Sequence, residues 1–145
     1  MTFSRAEHVS VSIDCSPDRV YEFVANPENL PQWAAGLSGS IAHVNGEWIA
    51  ESPMGRVKVE FAARNPFGIL DHDVTLPSGD KVNNPMRVVP NDDGSEVIFT
   101  VYQRPGMSDD MFADDTEAVA RDLGKLKTLL EGERVHRGGR TEEMA

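Results

Sequence analysis

The sequence predicts an α+β domain of order β-α-α-β6-α, a strongly curved antiparallel sheet wrapped around a long C-terminal helix. Three observations predict it. The chain opens on an alternating segment that runs directly into helix-start signals. Residues 38–104 then carry only strand patterns and tight-turn residues. Residues 108–131 end the domain with one continuous helical stripe. Strands that follow one another without helices between them form an antiparallel meander, because parallel neighbours need long crossovers.

Val9, Val11 and Ile13 alternate with Ser10 and Ser12, so the first strand has one wet face. Ser16 is placed to cap the following helix, Pro17 is pre-set for its first turn, and Asp18 suits its dipole. Val20, Tyr21, Phe23 and Val24 supply the buried face. Asn26-Pro27 ends that helix, and Asn26 caps a second short one running through Trp33.

Asn45-Gly46 between two apolar runs is a two-residue hairpin signal. Met54-Gly55 turns into a strand where Val57, Val59 and Phe61 alternate with Arg56, Lys58 and Glu60. Asn65-Pro66-Phe67-Gly68 leads into a strand over 69–76, Pro77-Ser78-Gly79-Asp80 into 82–89, and Asp92-Asp93-Gly94 into 97–102. Pro85 has no N–H for a ladder and marks a bulge or an edge.

In the closing helix Phe112, Thr116, Val119, Leu123, Leu126 and Leu130 form one apolar stripe. Asp109, Asp110, Asp114, Asp115 and Glu117 crowd its first half, and Arg121, Lys125 and Lys127 its second, as the macrodipole favours. Gly132 is the expected stop, and Gly124 a tolerated glycine on the flank. Residues 1–132 read as one domain. Residues 133–145, with three arginines, Gly138-Gly139 and Val135 as the one branched aliphatic, read as a disordered tail. Sheet and helix must bury their apolar faces on each other, and two short helices are too few to fill the open end. A deep apolar pocket is expected there.

The chain has 145 residues, 24 acids against 14 lysines and arginines, and a net charge of −10. That balance argues against nucleic acid or an anionic membrane surface as partner. No apolar run approaches the ~18–20 residues of a membrane span, and residues 1–5 lead into no signal-peptide core. The single cysteine, Cys15, excludes an internal disulfide and fits a cytoplasmic location; it reads as a turn residue rather than a nucleophile.

The segment Ser16-Pro17-Asp18-Arg19-Val20-Tyr21-Glu22-Phe23-Val24-Ala25-Asn26-Pro27-Glu28-Asn29-Leu30-Pro31-Gln32-Trp33, set in this order of elements, resembles the START-like (SRPBCC) superfamily. The resemblance is greatest to its bacterial polyketide cyclase/dehydrase-like branch and covers residues 7–131. It implies a helix-grip fold with a ligand cavity. The superfamily contains lipid and hormone carriers, aromatic cyclases, quinone-binding proteins and chaperone activators, so no catalytic residue carries over.

The residues offer little covalent chemistry. His8, His43, His72 and His136 show no metal-ligand spacing, and there is no phosphate loop or nucleophile elbow. No metal and no cofactor are expected. His72 shares a strand face with Leu70, Val74 and Leu76 and should point inward. It reads as a general acid–base, as a ligand-orienting group, or as a core histidine bonded to a neighbouring strand or to Thr116. Asp115, if it leans inward, would orient His72.

Val97, Phe99 and Val101 fix the inner face of the last strand, which puts Gln103 at the pocket mouth and Tyr102 and Arg104 outside unless a bulge flips them. Arg104, in a gating loop, would meet a ligand carboxylate or phenolate. Asn84 and Met86 share a face with Val82 and Val88 as pocket wall, and Trp33, Phe61, Phe112, Thr116 and Val119 complete the candidate ligand-binding set.

The leading expectation is binding of a small hydrophobic ligand, aromatic, polyketide-like or lipid-like, between sheet and C-terminal helix. The first alternative, implied by the resemblance, is a cofactor-free polyketide cyclase or dehydratase using His72. The second is a protein-binding module of the chaperone-activator type, which would need an apolar outer face; Arg56, Lys58, Glu60, Asp71 and Asp73 make that face charged. A homodimer is left open.

Overall fold

The structure, a computed structural model, describes residues 2–34 and 40–144, with side chains as far as Gly132. Strand β1 (Ala6–Ile13) leads into helix α1 (Pro17–Ala25), a 3₁₀ turn (Pro27–Asn29) and the single-turn helix α2 (Leu30–Trp33). The Ser16 hydroxyl accepts the Arg19 N–H at 3.3 Å, and the Asn26 side chain accepts that of Glu28 at 3.1 Å. Both caps satisfy amides that a helix start leaves without partners.

Among the described residues seven strands follow: β2 (Ile41–Val44), β3 (Glu47–Ser52), β4 (Gly55–Phe61), β5 (His72–Thr75), β6 (Lys81–Asn84), β7 (Met86–Asn91) and β8 (Gly94–Tyr102). The hairpin between β2 and β3 has φ of 52° at Asn45 and 81° at Gly46, the two positive values that a tight I′ turn needs.

The expected six strands become seven because Pro85 divides the 82–89 segment. β6 pairs with β5 while β7 pairs with β8, giving antiparallel orders β2-β3-β4-β5-β6 and β1-β8-β7. Proline offers no N–H at that point, yet its carbonyl still accepts the Thr100 N–H at 2.9 Å. The strand expected over 69–76 is likewise shorter. Its first residues swing onto β7, with Leu70 N–H donating to the Met86 carbonyl at 2.8 Å and Val88 N–H to that of Gly68 at 3.0 Å. An isolated bridge joins Ile69 and Arg87. These bonds sew the two ladders into one curved eight-stranded sheet.

Helix α3 (Asp109–Met144) closes the fold against β1, β8 and α2. Phe112, Leu123, Leu126 and Leu130 are buried, as their spacing requires. Each such side chain contributes about 1.5–3 kcal/mol of transfer free energy. Lys127 Nζ donates to the Ser12 carbonyl at 2.7 Å, and the Glu131 carboxylate accepts the Asp14 N–H at 2.8 Å, pinning α3 to the β1–α1 junction. The helix runs beyond the stop expected at Gly132. The side chains of 133–145 lie outside the described residues, and with them the expectation of a disordered tail. Among the described residues, no helix is long and apolar enough to cross a membrane.

Candidate functional site

The inner face of the sheet is assembled by register. Phe61 stands opposite His72 on β4 and β5, His72 opposite Asn84 on β5 and β6, and Met86 opposite Phe99 on β7 and β8. Directly opposed residues share a face, about 4.5–5.5 Å apart at Cβ. Because Asn84 and Met86 flank Pro85, the bend brings these five candidate residues into one continuous wall. The His72 ring stacks on Phe61 at 4.8 Å between centroids and meets Phe99 edge-on at 5.7 Å.

His72 Nδ1 lies 3.0 Å from the Leu70 carbonyl. A carbonyl only accepts, so Nδ1 carries the proton and Nε2 of the neutral ring keeps a lone pair. Burial pushes the imidazole pKa below its ordinary 6.5, outweighing the Leu70 carbonyl and the charges of Asp71 and Asp73. His72 is therefore neutral at pH 7. Its expected bond to Thr116 is not made, because the Thr116 hydroxyl donates to the Phe112 carbonyl of its own helix at 2.9 Å.

At one end of this wall, β6, the end of β8 and the early turns of α3 enclose a cleft of about 310 Å³. Val82, Asn84 and Val101 line it from the sheet, Arg104 and Pro105 from the loop before α3, and Asp115 from the helix. Tyr102, Lys81 and Asn83 complete its rim with Ser4. Asp115 therefore sits beside Arg104 rather than orienting His72. Burial holds its carboxyl above the usual carboxylate range, against the pull of the Arg104 guanidinium.

The last-strand expectation is corrected here. Gln103 does not line the cleft; its amide donates to the Met107 carbonyl at 3.0 Å and to Asp109 Oδ1 at 2.9 Å, bracing the loop. Arg104 lines the cleft instead. The two-residue alternation holds only within a strand, and β8 ends at Tyr102.

The remaining candidates lie apart from the cleft lining. Trp33 is buried in α2, and its Nε1–H is the only fully buried side-chain polar atom among the described residues without a partner. Phe112 is buried beneath the Arg5 guanidinium, 5.1 Å from its ring centroid, and Val119 is half-buried against the core. Tyr102, Lys81 and Asp115 were not in the candidate set, although Asp115 adjoins Thr116 in the sequence.

A larger cleft, about 600 Å³, lies between α1, the loop before β5 and β7. Four of its polar side chains, those of Glu22, Arg64, Tyr21 and Asn65, are already engaged. Arg64 pairs with Glu22 and lies 5.3 Å from the Tyr21 ring centroid, and the Tyr21 hydroxyl accepts the Asn65 N–H at 2.9 Å. Among the described residues, no group of three His, Cys, Asp or Glu side chains is placed to hold a metal ion.

Several solved structures share this architecture. DynU16, encoded in the dynemicin biosynthetic locus, superposes with a TM-score of 0.67 at 18% identity over 87% of this chain and 47% of its own. Ara h 8.0201 gives 0.65 at 15% identity, covering 90% of this chain and 99% of its own. The Aha1 dimer from Colwellia psychrerythraea gives 0.67 at 18% identity, covering 88% and 96%. No curated protein sequence matches the chain. At these identities the likeness establishes the fold, the helix grip that the N-terminal segment implied. A family model, described as polyketide cyclase / dehydrase and lipid transport, matches residues 7–131. With that match running from within β1 to Glu131 in α3, over the same elements that build the inner wall and the cleft, the chain belongs to the polyketide cyclase/dehydrase and lipid transport family.

Proposed function

We propose that this protein binds a small hydrophobic ligand, aromatic, polyketide-like or lipid-like, in the space between sheet and α3, reached through the cleft of β6, β8 and α3. The observation that carries the reading is the position of Asn84. It lines the cleft and is also the ladder partner of His72, so a ligand entering there meets the aromatic wall next. The wall is apolar except for one amide and one neutral imidazole. Such a surface suits orientation of a ligand through few polar contacts. His72 Nε2 would accept a hydrogen bond from a ligand hydroxyl.

The family description pairs cyclases with lipid transport, and binding without turnover is favoured here. Cyclisation needs proton removal at one atom and delivery at another. Thr116 is committed to its own helix and Asp115 stands beside Arg104, which leaves His72 without an evident second group.

The test is native mass spectrometry for a co-purified ligand, followed by thermal shift with naphthalene-based compounds. At a hundred times Kd, a ligand stabilises by about 2.7 kcal/mol, roughly 5–10 °C for a domain of this size. Asn84→Trp should fill the cleft and abolish the shift while leaving the unliganded Tm within a few degrees. An undiminished shift in that variant would refute the site. Turnover that falls by about 10²-fold or more in His72→Ala would replace binding with the cyclase reading.

A further inference from the structure

Whereas the larger cleft beside α1 carries more acids than cations, the cleft of β6, β8 and α3 carries more cations than acids. On a chain of net charge −10 it presents two cations, Arg104 and Lys81, against one carboxyl group, Asp115. Arg5, Arg56 and Arg64 are exposed and each has an acidic partner, in Asp109, Glu51 and Glu22. Arg104 is half-buried, and among the described residues it makes no ion pair within 4 Å. Asp115 acts on it through space only. A partly desolvated guanidinium without a bonded partner is an unmet demand for an anion, and its planar fork matches a carboxylate bidentately. Beside it, the Asn84 amide is held only by a long 3.4 Å contact with the Val82 carbonyl, so it is free to turn toward a ligand oxygen. Val82, Val101 and Pro105 give the cleft an apolar side for the ligand's body.

We infer that the ligand is an amphipathic monocarboxylic acid, its carboxylate gripped by Arg104 with help from Asn84 and its apolar part directed along the inner wall. This rests on the binding reading above and narrows it. Lys81, at the rim, adds attraction without a fixed bond.

Isothermal titration at pH 7.5 with 2-naphthoate and its neutral counterpart, 2-naphthalenemethanol, separates the possibilities. Wild type should bind the acid about tenfold or more tighter than the alcohol, the scale of one charge-assisted pair. Arg104→Gln should bring the two affinities within about twofold, with the alcohol's own affinity little changed. Arg104→Lys should keep part of the preference, and Arg87→Gln, an exposed arginine on β7 outside the cleft, all of it. Equal affinities in wild type, or a preference that survives in Arg104→Gln, would overturn the inference while leaving the binding site standing. Failure of both compounds to bind wild type would overturn the inference together with the binding reading. The wild-type ratio decides the question even if a variant misfolds.

Discussion

The Asp71 carboxylate accepts the backbone N–H of Met86 at 2.8 Å, immediately after the proline that divides β6 from β7. The side chain supplies an acceptor where the ladder changes partners. Bonds to charged groups contribute about 1.5–3 kcal/mol. Asp71→Ala should lower unfolding free energy in urea by about that amount, and Asp71→Asn should recover much of it. Asp73, whose bond to the Asn83 amide is exposed, should tolerate alanine within about 0.5–1 kcal/mol. Equal effects at the two positions would remove Asp71 from the bend.

Acid should weaken the fold through His72. Burial keeps its native pKa below 6.5, so above pH 6.5 the ring is neutral whether the chain is folded or not. Below 6.5 the unfolded chain takes up a proton that the native state refuses, until the native pKa is reached. Stability is then lost as pH falls, at no more than about 1.4 kcal/mol per unit. Relative to His72→Phe, wild type should lose stability on going from pH 7 to pH 5. A constant difference over that range would mean that the ring is solvated.

Two glycines with positive φ should respond differently to alanine. At Gly68, φ is +73° and a Cβ would collide with the Val88 carbonyl oxygen, where the loop before β5 crosses β7. At Gly79, φ is +93° and a Cβ would meet nothing within 4 Å. Gly79→Ala should cost only the left-handed penalty, about 1–2 kcal/mol. Gly68→Ala should exceed about 3 kcal/mol, as backbone clashes do. Denaturant midpoints give the comparison, and similar costs would mean that the loop moves freely away from β7.

Gly124 offers a gain. It is exposed within α3, and a Cβ there would meet nothing within 4 Å. Gly124→Ala should raise stability by up to about 1 kcal/mol through helix propensity alone. A lower Tm in the variant would show that the glycine serves a contact or a bend.

The order of elements was legible because its signals are local. Ser16 and Asn26 cap where their side chains can reach the next amides, and Asn45-Gly46 takes its turn for steric reasons. The inward aim of His72 followed from alternation with Leu70, and both are buried. What escaped were features decided by distant chain. Nothing near Pro85 says that β7 will leave β5 for β8, or that Asp71 will serve Met86. Gln103 left the pocket mouth because alternation has no authority past Tyr102, where the loop's own bonds take over. Asp115 looks like any dipole-stabilising acid until the fold sets it across a cleft from β6.

The pairing of β1 with β8 also sets a schedule for folding. Among the described residues every other ladder joins strands adjacent in the chain, whereas the side chains of His8 and Thr100 meet across 92 positions. Local hairpins can close within microseconds, but this ladder waits for loop closure over nearly the whole domain. During synthesis the lag is about 5–20 s at ordinary elongation rates. Throughout it Val9, Val11 and Ile13 have no sheet to join. The emerging chain thus carries a sticky leading strand whose protection arrives last, so aggregation of this protein should be decided on the ribosome more than in the finished fold.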